Sequence, residues 1–309
     1  MLSELQTIVK AVGQLLLGKE EQIKLALCCL LARGHLLIED LPGMGKTTLA
    51  QSLAKVLGLS YQRVQFTSDL LPGDIIGGSI FDQGKGSFRF HPGPVFTQVL
   101  LADEINRSTP KAQSALLEAM EERQVSVDSI SHALPEPFFV IATQNPLSQA
   151  GTYALPESQL DRFLMCLSLG YPPAEAEKAL LMGRDPRERL PELKALVDLH
   201  KLKHIQAQVE AVKASEALIT YIQRLVQFTR EHESFYCGLS PRAAMALLRS
   251  AKAWALLHGR DHVLPDDVQA VVPAVVEHRV QGQFGNASSA EGQQNLSRLL
   301  LNSVAVMAP

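Results

Sequence analysis

The sequence predicts an α/β domain with a mainly parallel sheet flanked by helices, followed by a smaller all-helical domain. Three observations predict it. Short apolar runs such as "HLLIED", "VLLADEI" and "PFFVIATQN" each end in polar residues, as buried strands that deliver side chains to one sheet edge do. Helical stretches alternate with these runs, the pattern that builds parallel sheets. After Pro172 and Pro173 the strand runs stop and helical patterns follow one another. The expected division is residues 1–171 for the α/β domain and 172–309 for the helical domain with its tail.

In chain order, residues 4–33 carry apolar residues at helical spacing. "HLLIED" reads as a short buried strand and "KTTLAQSLAKVLG" as a helix closed by Gly58. "YQRVQFT" has strand character, and "VLLADEI" and "PFFVIATQN" are apolar strands with the helical "KAQSALLEAMEERQ" between them. "FLMCLSLGYP" reads as a further strand. In the second domain "AEAEKALLMG", "SEALITYIQRLVQFTREH", "SPRAAMALLRSAKAWALLHG" and "LPDDVQAVVPAVVEHRV" read as helices. The tail from Gln281 to Pro309 opens with a Gly/Ser/Asn-rich link and ends in "LSRLLLNSVAVM", expected to dock as a last helix.

Composition narrows the function classes. The 309 residues are 46% hydrophobic, ample for packed cores. A formal net charge of −3 gives no global drive toward nucleic acid or anionic membranes. No apolar run is long enough to span a bilayer, and "MLSELQTIVKAVGQ" lacks the organisation of a signal peptide. Cys28, Cys29, Cys166 and Cys237 form neither a C-x-x-C pair nor a disulfide framework, so buried reduced thiols and a cytoplasmic location are expected. His200 and His204 lack a third ligand and read as surface residues. His232, flanked by carboxylates, reads as a solvated helix end.

The chemistry concentrates in five stretches. "IEDLPGMGKTTLA" resembles a phosphate-binding loop in which Asp40 stands where the first glycine belongs. Gly43, Met44, Gly45, Lys46, Thr47 and Thr48 would form the cradle, with backbone amides and a helix N-terminus facing the anion. Lys46 would contact the outer phosphates and the Thr47 hydroxyl would ligate Mg²⁺; the bland alternative is a Gly-rich strand-to-helix turn. In "VLLADEINR", Asp103 suits a Mg²⁺ contact and Glu104 could polarise an attacking water, or the pair could be a helix cap. Asn145 ends the next apolar strand and could bond a γ-phosphate and water, or merely begin an Asn-Pro turn. Arg162 in "LPESQLDRF" could stabilise a transferring phosphoryl group or pair with Asp161. Arg242 in "GLSPRAAM" could reach a nucleotide from the helical domain, or be an ordinary surface arginine.

Together "LPGMGKT", "FTSDLLPGDIIGG", "FRFHPGPVF", "LLADEINRSTPKAQSALLEAMEERQVSVD", "PFFVIATQNP", "GTYALPESQLDRF" and "GLSPRA" resemble an AAA+ ATPase, and more closely the MoxR family. They run in the family's order across most of residues 15–275; the tail after about residue 280 lies outside the resemblance. The resemblance implies a P-loop domain with a helical lid. It implies Walker A roles for Lys46 and Thr47, Walker B roles for Asp103 and Glu104, sensor 1 for Asn145, an arginine finger for Arg162 and sensor 2 for Arg242. Arg107 is a second candidate for a contact in trans. "GGSIFDQGKGSFRFHPGPVF" resembles the family's helix-2 insert, a hairpin facing the ring pore, and "RQVSVDSISHALPEPF" the hairpin before sensor 1. The inserts are placed near residues 78–96 and 124–137. Lys85, Arg89 and His91 of the first could contact a client or simply be solvated.

The implied function is Mg²⁺-dependent ATP hydrolysis by a homo-hexameric ring. It acts as a chaperone-like remodeller in the maturation or activation of protein complexes, with a von Willebrand factor A domain protein as partner. Asp40 motivates an alternative, a nucleotide-gated assembly scaffold that hardly hydrolyses. A carboxylate roughly 6–8 Å from the phosphates would oppose binding by about 2 kcal/mol at an effective dielectric near 20. Since every other motif residue is present, a weakened but active site is expected. A nucleic-acid motor is a third class, disfavoured by the acidic net charge and the absence of a DNA-binding module.

Overall fold

The computed structural model describes residues 2–145, 152–183, 186–282 and 290–306. A five-stranded, all-parallel sheet lies at the centre of the first part of the chain. Its strands are β1 (Leu36–Glu39), β2 (Tyr61–Gln65), β5 (Val99–Asp103), β8 (Phe139–Gln144) and β9 (Met165–Leu167), in the order β2-β5-β8-β1-β9. Leu36, Leu37 and Ile38 of β1, the apolar run of β5 and Val140 to Ala142 of β8 are fully buried. Each large side chain among them contributes about 1.5–3 kcal/mol by leaving water.

The topology decides where the chemistry gathers. β8 lies between β5 and β1, so the segments after these three strands are neighbours along one sheet edge. Those segments are the Gly-rich loop, Asp103-Glu104 and Asn145. In open parallel sheets this C-terminal edge is where ligands bind.

Two hairpins project from the sheet. β3 (Gly77–Asp82) pairs with β4 (Ser87–Pro92), and β6 (Gln124–Val127) with β7 (Ile130–Ala133), at the expected inserts. Ile80, Phe81 and Phe88 are exposed on the first hairpin, where the two phenylalanines meet edge to face. Helices α3 (Lys46–Val56), α4 (Pro72–Ile76), α5 (Pro110–Glu122) and α6 (Glu157–Leu160) complete this part. α5 starts at Pro110, with Thr109 capping the Ala112 amide.

The N-terminal helix expected over residues 4–33 is two helices, α1 (Leu2–Gly13) and α2 (Glu20–Leu31). The chain turns between them, and Gly18 adopts a φ of +71° that few other residues tolerate. This break carries Leu15 to Lys19 toward the sheet edge.

His35 lies between β8 and α5. Its Nδ1 accepts the Val140 amide at 3.0 Å, so Nε2 bears the proton and faces the Met120 carbonyl at 3.2 Å. Burial drives its pKa down from 6.5 to about 4. The unfolded chain therefore takes up this proton first as the pH falls. The stability contributed by the neutral imidazole is complete above about pH 6.5 and is lost as the pH drops toward 4. Urea unfolding at pH 7 and at pH 4.5 should differ by about 2 kcal/mol on account of His35. His278, whose pKa is also driven down by burial, acts in the same direction. His35→Gln should reduce the difference; an unchanged pH dependence would exclude His35 as its source.

From α7 (Ala174–Met182) onward the chain is helical apart from the short β10 (Phe235–Cys237) and β11 (Gln281–Gly282). α8 (Leu199–Ala211), α9 (Glu216–Glu231), α10 (Pro241–Leu257), α11 (Pro265–Val276) and α12 (Ala290–Ser303) follow. Asp198, Ser215 and Ser240 cap α8, α9 and α10 through their side chains. α10 packs on α2, where the Cys28 thiol donates to the Ser250 carbonyl. All four cysteines are free thiols, and burial raises the pKa of Cys28, Cys29 and Cys166. Leu296, Leu300 and Val304 seat the last helix, as expected of that apolar stretch. The link expected at its start lies largely outside the described residues. Among the described residues no helix is long and apolar enough to cross a membrane.

Arg279, just past α11, joins the two parts. Its guanidinium pairs with Asp161 at 2.7 Å and donates to the carbonyls of Phe163 and Leu164 beside β9. Its side chain is only 4% exposed, so removing Asp161 would leave a buried charge without its carboxylate.

Candidate functional site

The loop after β1 turns through Gly43 (φ +86°) and Gly45 (φ +94°), both in the left-handed region. A Cβ at Gly45 would also lie 3.3 Å from Leu16. Gly45 is the N-cap of α3 and offers no side chain to its first amides. Those amides are left for an anion, which the helix dipole favours. The loop borders a cavity of about 770 Å³. It is lined by Gly43, Met44, Gly45, Lys46, Thr47 and Thr48, by the polar Asp103, Glu104, Asn145 and Arg63, and by the apolar Leu15, Leu16, Leu17, Pro172 and Leu180.

Lys46 is 8% exposed. Its ammonium donates to the Asp40 carbonyl at 2.7 Å and to Asn145 Oδ1 at 3.1 Å. Burial pulls its pKa down, while Asp40, Asp103, Glu104 and Glu39 favour the charged form. Asn145 then donates to Glu104 Oε1 at 3.1 Å. One amide thus spans the lysine and the carboxylate, because β8 lies between β1 and β5.

Glu104 sits in left-handed backbone, φ +55° and ψ +49°, a strained choice for a glutamate. Its amide donates to Thr143 Oγ1 at 2.8 Å. Its Oε2 accepts from Gln65 at 2.8 Å and Arg107 at 2.9 Å. Asp103 is more deeply held. Oδ1 accepts from the Thr143 hydroxyl at 2.6 Å, and Oδ2 from Arg63 at 2.6 and 3.1 Å. The Thr47 hydroxyl and these two carboxylates supply the hard oxygen donors that suit Mg²⁺ beside phosphate and water.

The remaining expected residues lie elsewhere. Arg162 pairs with Glu121 Oε2 at 3.0 Å, and Arg242 with Oε1 of the same carboxylate at 2.6 Å. Both arginines are thus gathered on α5, apart from the residues described as lining the cavity. α10 begins beside α5, and that places Arg242 there. Arg162 also does not use its neighbour Asp161, which belongs to Arg279. Arg107 contacts its own chain's Glu104.

Arg63, Gln65, Thr143 and Lys19 enter the site without having been singled out in the sequence. Arg63 and Gln65 stand two apart on β2 and so share one face. Two polar residues in that register at a strand's C-terminal end are the signal available for them.

A parallel sheet carrying a phosphate-type loop, with helices after it, defines a class, and comparison with known proteins agrees. The profile of the ATPase family associated with various cellular activities (AAA) matches residues 35–165, and that of the AAA lid domain matches residues 227–299. A crystal structure assigned as an ATPase from Cytophaga hutchinsonii superposes with a TM-score of 0.90 at 36% identity, covering 99% of this chain and 96% of that one. YeaC of Bacillus subtilis is 45% identical over 88% of this chain and 85% of its own length. Chaperone MoxR1 of Mycobacterium tuberculosis is 40% identical over 90% of this chain and 76% of its own. The chain belongs to the MoxR family of AAA ATPases, and ATP hydrolysis is its activity.

Proposed function

We propose that this chain hydrolyses Mg²⁺-bound ATP in the cavity at the sheet edge, within a closed hexameric ring, and uses the cycle to remodel or activate protein complexes. The observation that carries the site is the chain of contacts from Lys46 through Asn145 to Glu104. It sets a phosphate-binding cation, a polar positioning group and a candidate base within one side chain's span.

In this reading the amides of residues 43–48 and Lys46 hold the phosphates. Thr47 and Asp103 would hold Mg²⁺, which would supply charge neutralisation at the phosphates. Asn145 orients the attacking water and Glu104 accepts its proton. Glu104 Oε1 accepts from Asn145 and keeps a lone pair for the water, while Oε2 is held by Gln65 and Arg107 and becomes available if Arg107 withdraws. The Arg107 side chain is half exposed, so its withdrawal costs about 1 kcal/mol or less.

Arg162 and Arg242 are proposed to serve a neighbouring subunit's nucleotide. Their joint attachment to Glu121, outside their own cavity, supports a role in trans. Mixing Arg162→Ala chains with Lys46→Ala chains should therefore restore part of the ATPase activity, because some interfaces then carry both intact groups. No recovery, with subunit exchange verified by mass, would refute the trans role; full activity in a strict monomer would refute the shared site.

Client contact is assigned to the exposed hairpin around Phe81 and Phe88, and the partner to a von Willebrand factor A domain protein. The exposure of Phe81 and Phe88 and the name chaperone carried by MoxR1 support the first; the second rests on the MoxR resemblance alone. Capturing partners on Glu104→Gln chains with ATP, and losing them with Phe81→Ser and Phe88→Ser, tests this part.

A further inference from the structure

Asp40 does not face the phosphate end of the cavity. Its side chain is buried, and each oxygen has protein partners. Oδ1 accepts the Leu41 amide at 2.9 Å, fixing the start of the loop. Oδ2 accepts the amides of Leu169 at 2.6 Å and Gly170 at 2.7 Å, with the Ser168 hydroxyl at 3.4 Å. Its oxygens are directed at the Leu41 amide and at amides of the segment after β9, while its charge still acts on Lys46.

Residues 168–173 connect β9 to α7, the crossing from the sheet to the helical part. Lys19, in the turn between α1 and α2, holds the same segment by its carbonyls. Its ammonium donates to Leu169 at 2.5 Å and Tyr171 at 2.6 Å. Burial pulls the pKa of that lysine down, while Asp40 opposes the shift by favouring its charged form. Gly18 backs directly onto Pro173, where a Cβ would approach to 2.6 Å. Lys19, Pro172 and Leu180 of α7 also line the cavity. Meanwhile the Asp40 main-chain carbonyl accepts from Lys46. Asp40 thus touches the phosphate-end lysine with its backbone and the connecting segment with its side chain.

We propose that Asp40 is a positioning residue: with Lys19 it clamps residues 168–171, and so fixes the neighbouring Pro172 and the start of the connection to Leu180, both of which line the cavity. The proposal rests on the cavity being the ATP site. Because the Lys19 and Asp40 Oδ2 contacts hold the Pro172 side of the cavity, their loss should weaken ATP, ADP and AMP by similar factors. Repulsion would instead be relieved in proportion to phosphate charge.

The test is calorimetric titration of ATP, ADP and AMP into wild type, Asp40→Ala, Asp40→Asn and Lys19→Met, below the melting temperature of each. Hydrogen exchange of the 168–171 amides is followed in parallel. Asp40→Ala should weaken all three nucleotides by about tenfold, the worth of one lost charge-assisted hydrogen bond, and speed exchange at Leu169 and Gly170. Asp40→Asn should recover part of the affinity, since its amide oxygen can still accept those two N–H groups. Lys19→Met, which keeps the stem, should weaken binding in the same phosphate-independent way. Tighter binding in Asp40→Ala, largest for ATP, would overturn the clamp in favour of repulsion. Unchanged affinities in Asp40→Ala and Lys19→Met, even with lower melting temperatures, would reduce it to a folding contact and overturn it as well. If the folded wild type binds no nucleotide, the site reading fails. The exchange data then still judge the clamp, with unaltered exchange in Asp40→Ala counting against it.

Discussion

Glu104→Gln is expected to bind ATP about as well as wild type and to hydrolyse it at least about 100-fold more slowly, the usual worth of a general base. Glutamine keeps the size of the side chain, and its oxygen can still accept from Asn145 Nδ2. It cannot take a proton from water. Asp103 is poorly placed to substitute. It is 8% exposed, and its two oxygens are tied to Thr143 and Arg63 at 2.6 Å each. The Glu104 side chain is 23% exposed, and its Arg107 partner is 51% exposed, so that contact yields readily to water. Removing one negative charge beside the phosphates should, if anything, favour ATP. Single-turnover phosphate release, alongside nucleotide titration, separates the two effects. Near-normal turnover in the glutamine variant would remove Glu104 from the role of base.

Much of this arrangement is legible in the sequence because it is local. Three buried apolar runs, each closed by polar residues, announce adjacent parallel strands. Gly43 and Gly45 mark the positive φ values that the loop needs. What resists reading is direction. Asp40 announces a charge near a phosphate loop, but its partners lie 129 and 130 residues further on. Nothing local says that the carboxylate turns toward them. The alternative of a scaffold that hardly hydrolyses rests on that charge, which acts on Lys46 even though its hydrogen bonds point to the segment after β9.

The same limit applies to the arginines. Arg162 and Arg242 are 80 residues apart in sequence, yet both end on Glu121, a residue not singled out for any role. Helix limits, by contrast, fail for reasons visible in hindsight. Gly13 and Gly18 flank the break between α1 and α2. α8 stands outside the helices expected from sequence, although Leu202, Ile205, Gln206 and Val209 bury one face at helical spacing and Asp198 caps it.

Lys46→Ala is expected to weaken ATP binding at least about 100-fold, the worth of roughly 3 kcal/mol in charge-assisted contact. Asp40, Asp103, Glu104 and Glu39 all act on Lys46, so the variant would present a trianionic phosphate chain with carboxylates and no lysine. The fold should barely notice. Asp40 O and Asn145 Oδ1 lose a donor, but they border an open cavity where water can replace it. Binding and folding are therefore separable in one thermal-melt series. At ATP equal to 100 times the wild-type Kd, wild type should gain about 2.7 kcal/mol of stability. A variant bound 100-fold more weakly should gain only about 0.4 kcal/mol at the same concentration. The ligand-free melting temperatures should nearly coincide. An equal ATP-induced gain in both proteins would show that Lys46 makes no net contribution to phosphate binding. The contacts of the ligand-free loop, with Lys46 resting on Asp40 and Asn145, would then be its whole role.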